Sequence, residues 1–150
     1  MINGLLHALI LDEKGGARPI ENSKQLHQWQ PTDGKLWVHM DYSQTDAVDW
    51  LKNCGLLNDY ELESLTADEP RPRITPTTNG HMLFLRGINL NPAQSPEDMV
   101  SIRLFINNDV VITTRKRRLL SVQDILASLN INEGPCSISE LVCTLAHKLT

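Results

Sequence analysis

Cysteine, aromatic side chains and basic charge are all scarce in this 150-residue chain. Its three cysteines, Cys54, Cys136 and Cys143, include no C-x-x-C pair. An odd count without that spacing argues against a disulfide framework or a zinc ribbon, and it fits a reducing cytoplasmic setting. Aromatics make up 5% of residues. Trp29, Trp37 and Trp50 do not follow a basic groove, so they read as core anchors rather than base-stacking platforms. The formal charge of -4 argues against a dedicated nucleic-acid binder and suits a domain that handles cations. No run approaches the ~18 consecutive apolar residues that cross a bilayer. The N-terminal apolar run lacks a basic flank and a cleavage site, so it is a strand and not a signal peptide. There is no G-x-S-x-G, P-loop, H-E-x-x-H or dinucleotide fingerprint, so neither an enzyme nor a cofactor requirement is expected.

What is present suits a packed core, since 41% of residues are hydrophobic. Leu5 to Leu11 is a short apolar strand. It ends at Asp12-Glu13-Lys14-Gly15-Gly16, a turn that sends a hairpin back through Ala17 to Ile20. Leu36 to Tyr42 is a strand with Trp37, His39 and Asp41 on one face and Leu36, Val38 and Met40 on the other. Ser43 to Thr45 can cap a helix that carries Val48 and Leu51 and stops at Gly55. A second short helix runs from Asn58 to Thr66. Two prolines make Asp68 to Arg73 an extended linker. Arg73 to Thr77, His81 to Leu90, Val100 to Ile106 and Val110 to Thr114 read as strands. Asn79-Gly80 marks a tight turn, Asn91-Pro92 to Ser95-Pro96 a loop, and the last three strands an antiparallel meander. Ser121 with Asp124, and Ser137 with Glu140, are spaced as capping pairs for two further helices. The sum is an α+β domain of mixed α/β layers, with a largely antiparallel central sheet flanked by helices.

Two arrangements could hold a metal. His39 and Asp41 place an imidazole and a carboxylate on one strand face, although a strand histidine packed beside Trp37 satisfies the same pattern. Glu140, Cys143 and His147 cluster on the side of the last helix opposite Ile138, Leu141, Val142, Leu145 and Leu149; a solvated helix face does so too. Cys54 reads as a buried, inert side chain. The run Arg115-Lys116-Arg117-Arg118 is the only charge cluster. It reads as a solvated strand end paired with carboxylates such as Asp98 or Asp124.

Several long strings carry a further signal. They are LWVHMDY at Leu36 to Tyr42, DAVDWL at Asp46 to Leu51, EPRPRITP at Glu69 to Pro76, LRGINLNP at Leu85 to Pro92, PEDMVSIRL at Pro96 to Leu104 and TRKRRLLSVQDI at Thr114 to Ile125. In this order they resemble the N-terminal cytoplasmic domain of the CorA-like metal-ion transporters, in the zinc-transport (ZntB) branch. The resemblance implies the CorA-type soluble domain over residues 1–150, in a homopentamer at the inner membrane whose cytoplasmic domains form a funnel below the pore. Divalent cations, zinc first, are the expected cargo. The stalk helix and the transmembrane helices of the family are not in this sequence, and neither is the pore signature that ends the first of those helices. The last helix also keeps its apolar spacing to the end without a stop signal, so a fragment that cannot itself conduct is expected. No zinc ligand is carried over from the family.

The alternative is a stand-alone soluble module that binds an anionic partner through Arg115–Arg118. It predicts salt-dependent binding to a polyanion that is abolished by Arg117→Glu with Arg118→Glu. Salt-insensitive binding, or none, removes that alternative.

Overall fold

The computed structural model describes residues 2–67, 73–87, 93–94 and 100–149. Seven strands are connected as β1 (Leu5–Leu11), β2 (Ala17–Pro19), β3 (Lys35–Asp41), β4 (Arg73–Pro76), β5 (His81–Gly87), β6 (Val100–Ile106) and β7 (Val110–Arg115). The helices are α1 (Ser23–Gln28), α2 (Thr45–Asn53), α3 (Asp59–Thr66), α4 (Leu120–Asn130) and α5 (Ile138–Leu149). The strands form one sheet in the order β2-β1-β3-β7-β6-β5-β4. All neighbours pair antiparallel except β3 and β7, which run parallel at its centre. The β5–β6–β7 meander is therefore as the turn residues imply, and the fold is the expected mixed α/β arrangement.

Alternation along β3 sorts its side chains to two cores. Trp37 packs with Leu104, Val111 and the α4–α5 residues Val122, Ile125, Leu129, Leu141 and Leu145. Leu36, Val38 and Met40 pack on the other face with Phe105, Ile112 and the helix residues Leu26, Ala47, Leu51 and Leu65. Helices thus cover both faces, which is why β3 is buried from Leu36 through Met40 and reads as a nearly continuous apolar run.

Local chemistry explains the joints. In the β1–β2 turn, Asp12 Oδ1 accepts from the Lys14 and Gly16 amides at 2.7 and 2.9 Å. Gly15 sits at φ +94°, and a side chain there would strike Asn132 of the α4–α5 loop. Its carbonyl accepts from the Gly134 amide at 2.8 Å, pinning that loop to the hairpin. At α3 the expected boundary gains a reason. Asn58 Oδ1 accepts from the Glu61 amide at 2.8 Å, and Glu61 Oε1 accepts from the Asn58 amide at 2.9 Å. This reciprocal cap uses only part of Glu61, which is fully buried. Its carboxylate also accepts from Thr77 Oγ1, the Asn79 amide and Asn79 Nδ2, at 2.5, 3.0 and 2.7 Å. One side chain therefore ties α3 to the β4–β5 turn.

The structure corrects three expectations. The stretch between β2 and β3, given no element above, holds α1, capped by Asn22, and a short helical turn at Pro31–Asp33. Ser43 does not cap α2; its amide and hydroxyl both bind Asp41 Oδ1, at 2.9 and 2.6 Å, so Gln44 sits at the cap without a side-chain bond. Ser121 does not cap α4 either. Burial of Leu119 draws the helix start forward, and Ser121 lies inside it with its Oγ buried and unpartnered. The Ser137 cap of α5 is present, with Oγ accepting from the Glu140 amide at 3.0 Å. Residues 68–72 of the expected linker, residues 88–90 of the expected His81–Leu90 strand, most of the expected 91–96 loop and Asp98 lie outside the described residues.

Glu61 yields a stability prediction. Burial pushes its carboxyl pKa up, but hydrogen bonds from Asn58, Thr77 and Asn79 outweigh this and hold it below the ordinary value. Glu61→Ala leaves those donors unpaired and costs about 3 kcal/mol by denaturant unfolding. Glu61→Gln, which keeps an acceptor, costs less. Equal losses in the two variants would mean the carboxylate network contributes nothing beyond packing.

Candidate functional site

The parallel pair β3–β7 brings polar side chains into the middle of the sheet. His7 faces His39 across β1 and β3, and His39 faces Thr113 across β3 and β7. His39 is 2% exposed and Thr113 fully buried. Thr113 Oγ1 accepts from Trp37 Nε1 at 3.0 Å and lies 2.7 Å from His39 Nδ1 and 3.4 Å from the Val38 carbonyl oxygen. The His7 and His39 rings are 6.1 Å apart between centroids, with planes 15° apart, and Trp37 lies 6.3 Å from His39. Burial, then the neighbouring His7 and Arg115, holds the His39 pKa down to about 3. His7 is half-buried, and burial and Arg115 lower its pKa as well. Both rings are therefore neutral at pH 7.

His7 opens onto a groove of about 460 Å³ between the β1–β2 hairpin and α4, walled by Leu9, Pro19 and Leu126. A second hollow, of about 390 Å³, lies on the other face among Trp29, Trp50, Leu36 and Asp109. Trp29 Nε1 is already committed to the Gly34 carbonyl at 3.1 Å, and Asp109 to Lys35 at 3.4 Å.

The residues singled out from sequence fall as follows. His39 and Asp41 do share a face, but His39 points its Nδ1 at Thr113 while Asp41 binds Ser43. His39 lies beside Trp37, as the packing alternative required. Glu140, Cys143 and His147 are exposed on α5. Among the described residues no three His, Cys, Asp or Glu side chains are gathered to hold a metal. All three cysteines are free. Cys54 is half-buried, its thiol donates to the Leu51 carbonyl oxygen at 3.2 Å, and burial raises its pKa. Arg115 ends β7 opposite Asp41, and Lys116, Arg117 and Arg118 follow on the surface. Asp124, offered above as a partner for that run, lies 3.8 Å from Lys148 of α5. Sequence reasoning missed His7, Thr113 and Glu61. His7 did alternate with Leu9 and Leu11 on one face of β1, but its partner is more than thirty residues away.

The profile of the CorA-like Mg2+ transporter protein family matches residues 32–150. The chain belongs to this family. It is 36% identical over 148 residues to the divalent cation transporter CmaX of Pseudomonas aeruginosa, covering 98% of this chain and 45% of that protein. It is 32% identical to the zinc transport protein ZntB of Pectobacterium carotovorum, covering 99% of this chain and 44% of that one. The fold superposes on the full-length CmaX structure with a TM-score of 0.90 at 35% identity, over 99% of this chain and 46% of that chain. On the ZntB cytoplasmic domain of Vibrio parahaemolyticus the TM-score is 0.83 at 28% identity, over 97% and 57%. The chain spans less than half the length of the curated relatives it matches. No helix among the described residues is long and apolar enough to cross a membrane.

The buried histidine makes stability pH-dependent. A folded pKa near 3 against an ordinary 6.5 means that the unfolded chain binds the proton first. Stability is therefore full above about pH 6.5 and falls as pH drops toward 3. His39 alone lowers unfolding free energy by about 2 kcal/mol between pH 7 and pH 5. His39→Gln should flatten this slope in thermal melts; an unchanged slope refutes the assignment.

Proposed function

We propose that this chain is the cytoplasmic part of a divalent-cation transporter of the inner membrane, in which zinc is the ion moved. The observation that carries the reading is the ordered likeness of nearly the whole chain to proteins named as zinc and divalent cation transporters, at the level of both sequence and fold. The domain acts before the membrane. In a homopentamer, five copies wall a funnel whose net negative charge raises the local cation concentration below the pore. The membrane-spanning part is supplied by sequence beyond these residues. Transport, not catalysis, is the activity, and no resident cofactor is required.

The test begins with the reading frame past Thr150, where two apolar helices of membrane-spanning length are expected. The protein encoded by that longer frame, reconstituted in liposomes, should carry zinc, and residues 1–150 alone should carry none. Flux of magnesium without zinc would redirect the substrate. A longer protein that moves no divalent cation would overturn the reading.

A further inference from the structure

We infer that His7 and His39 form a resident two-imidazole site for a soft divalent cation on the α4-facing side of the sheet. This goes beyond passage of cargo through a funnel, because it places a bound ion inside the domain. It does not depend on where the membrane-spanning part lies.

Hydrogen-bond accounting supports the site. Thr113 Oγ1 takes the Trp37 Nε1 proton. When its own proton goes to the Val38 carbonyl oxygen, the hydroxyl can accept from His39 Nδ1–H, and the His39 Nε2 lone pair is left over. The other arrangement, with the threonine proton on Nδ1, leaves Nε2 protonated. A metal would select the first. A ring fixed by its distal nitrogen is the way metal-binding histidines are oriented, and Thr113 supplies that orientation here. Nε2 of His39 and both nitrogens of His7 make no hydrogen bond among the described residues.

The spacing is close to that of a shared ion. Zinc–nitrogen bonds of about 2.0–2.1 Å hold two imidazole centroids roughly 5–6 Å apart. The rings stand at 6.1 Å. A small turn of His7, which no hydrogen bond holds, closes the difference. The groove above His7 leaves room for water to complete the coordination. Two imidazoles favour zinc, copper or nickel over magnesium, which prefers oxygen ligands. The groups that bear on the pair electrostatically are Arg115, whose charge opposes a cation, and Asp41, across the strands from it, which offsets that charge. The balance predicts a site of modest affinity.

Zinc itself is the probe. The chain carrying Cys136→Ser and Cys143→Ser, which removes the exposed thiols, is titrated with zinc by calorimetry and by nitrogen-15 spectra of the imidazoles. The expected result is saturable binding of about one ion per chain, with the His7 and His39 nitrogens shifting together. His7→Gln should weaken binding at least tenfold with an unchanged melting temperature. Thr113→Val, read against its own melting temperature, should also weaken it while leaving His7 in place. Shifts confined to His27, His81 or His147, or equal affinity in the His7→Gln chain, overturn the site. Loss of binding on removing the two thiols does so as well. None of these outcomes bears on whether the longer protein transports zinc.

Discussion

Covering a sheet on both faces denies its central strands most solvent, so a polar group left there without a partner is costly. That constraint governs this fold. β3 and β7 meet it with Thr113, a single hydroxyl that serves an indole N–H, an imidazole and a backbone carbonyl. Trp37 can be the largest fully buried side chain only because its one polar atom has that acceptor. His39 is held neutral by the same burial. Without Thr113 the centre of the sheet would hold an unpaired indole N–H and an unpaired imidazole nitrogen, at a cost in stability.

The periphery follows a related rule with a charged group. Glu61 is buried at the start of α3, where a carboxylate also suits the positive end of the helix. Its hydrogen bonds reach back to Asn58 and across to Thr77 and Asn79. The α2–α3 layer is thereby attached to the β4–β5 hairpin by directional bonds as well as by apolar contact. On the opposite face the attachment is mainly apolar, through Val122, Ile125, Leu129, Leu141 and Leu145. There, Gly87 leaves space for the last turn of α5 to lie against β5, since any side chain would strike the Leu149 backbone.

These arrangements bear on function through rigidity. If the domain walls an ionic funnel as proposed, it has to hold its charges in fixed places, and two helical layers packed on one sheet suit that role. The histidine pair joins the buried centre of the sheet on one side to the groove on the other. His39 is locked by Thr113, and His7 is free to turn toward solvent.

Much of the architecture was legible in the residues themselves. Alternation in Leu36 to Asp41 assigned faces correctly, because side-chain direction in a strand depends only on local geometry. The β4–β5 turn followed from Asn79-Gly80, and the alternation of Val100 to Ile106 and Val110 to Thr114 gave the strands of the meander, because turn chemistry and strand periodicity act over a few residues. The ordered strings from Leu36 to Ile125 identified the family for the same reason: they are properties of the chain. What the sequence could not determine were pairings between distant segments. That β3 lies parallel to β7, that His7 meets His39, that Glu61 reaches Asn79 and that Ser121 is enclosed rather than capping all depend on which elements pack together. Those contacts arise from burying two apolar faces at once, a condition met only by the assembled fold.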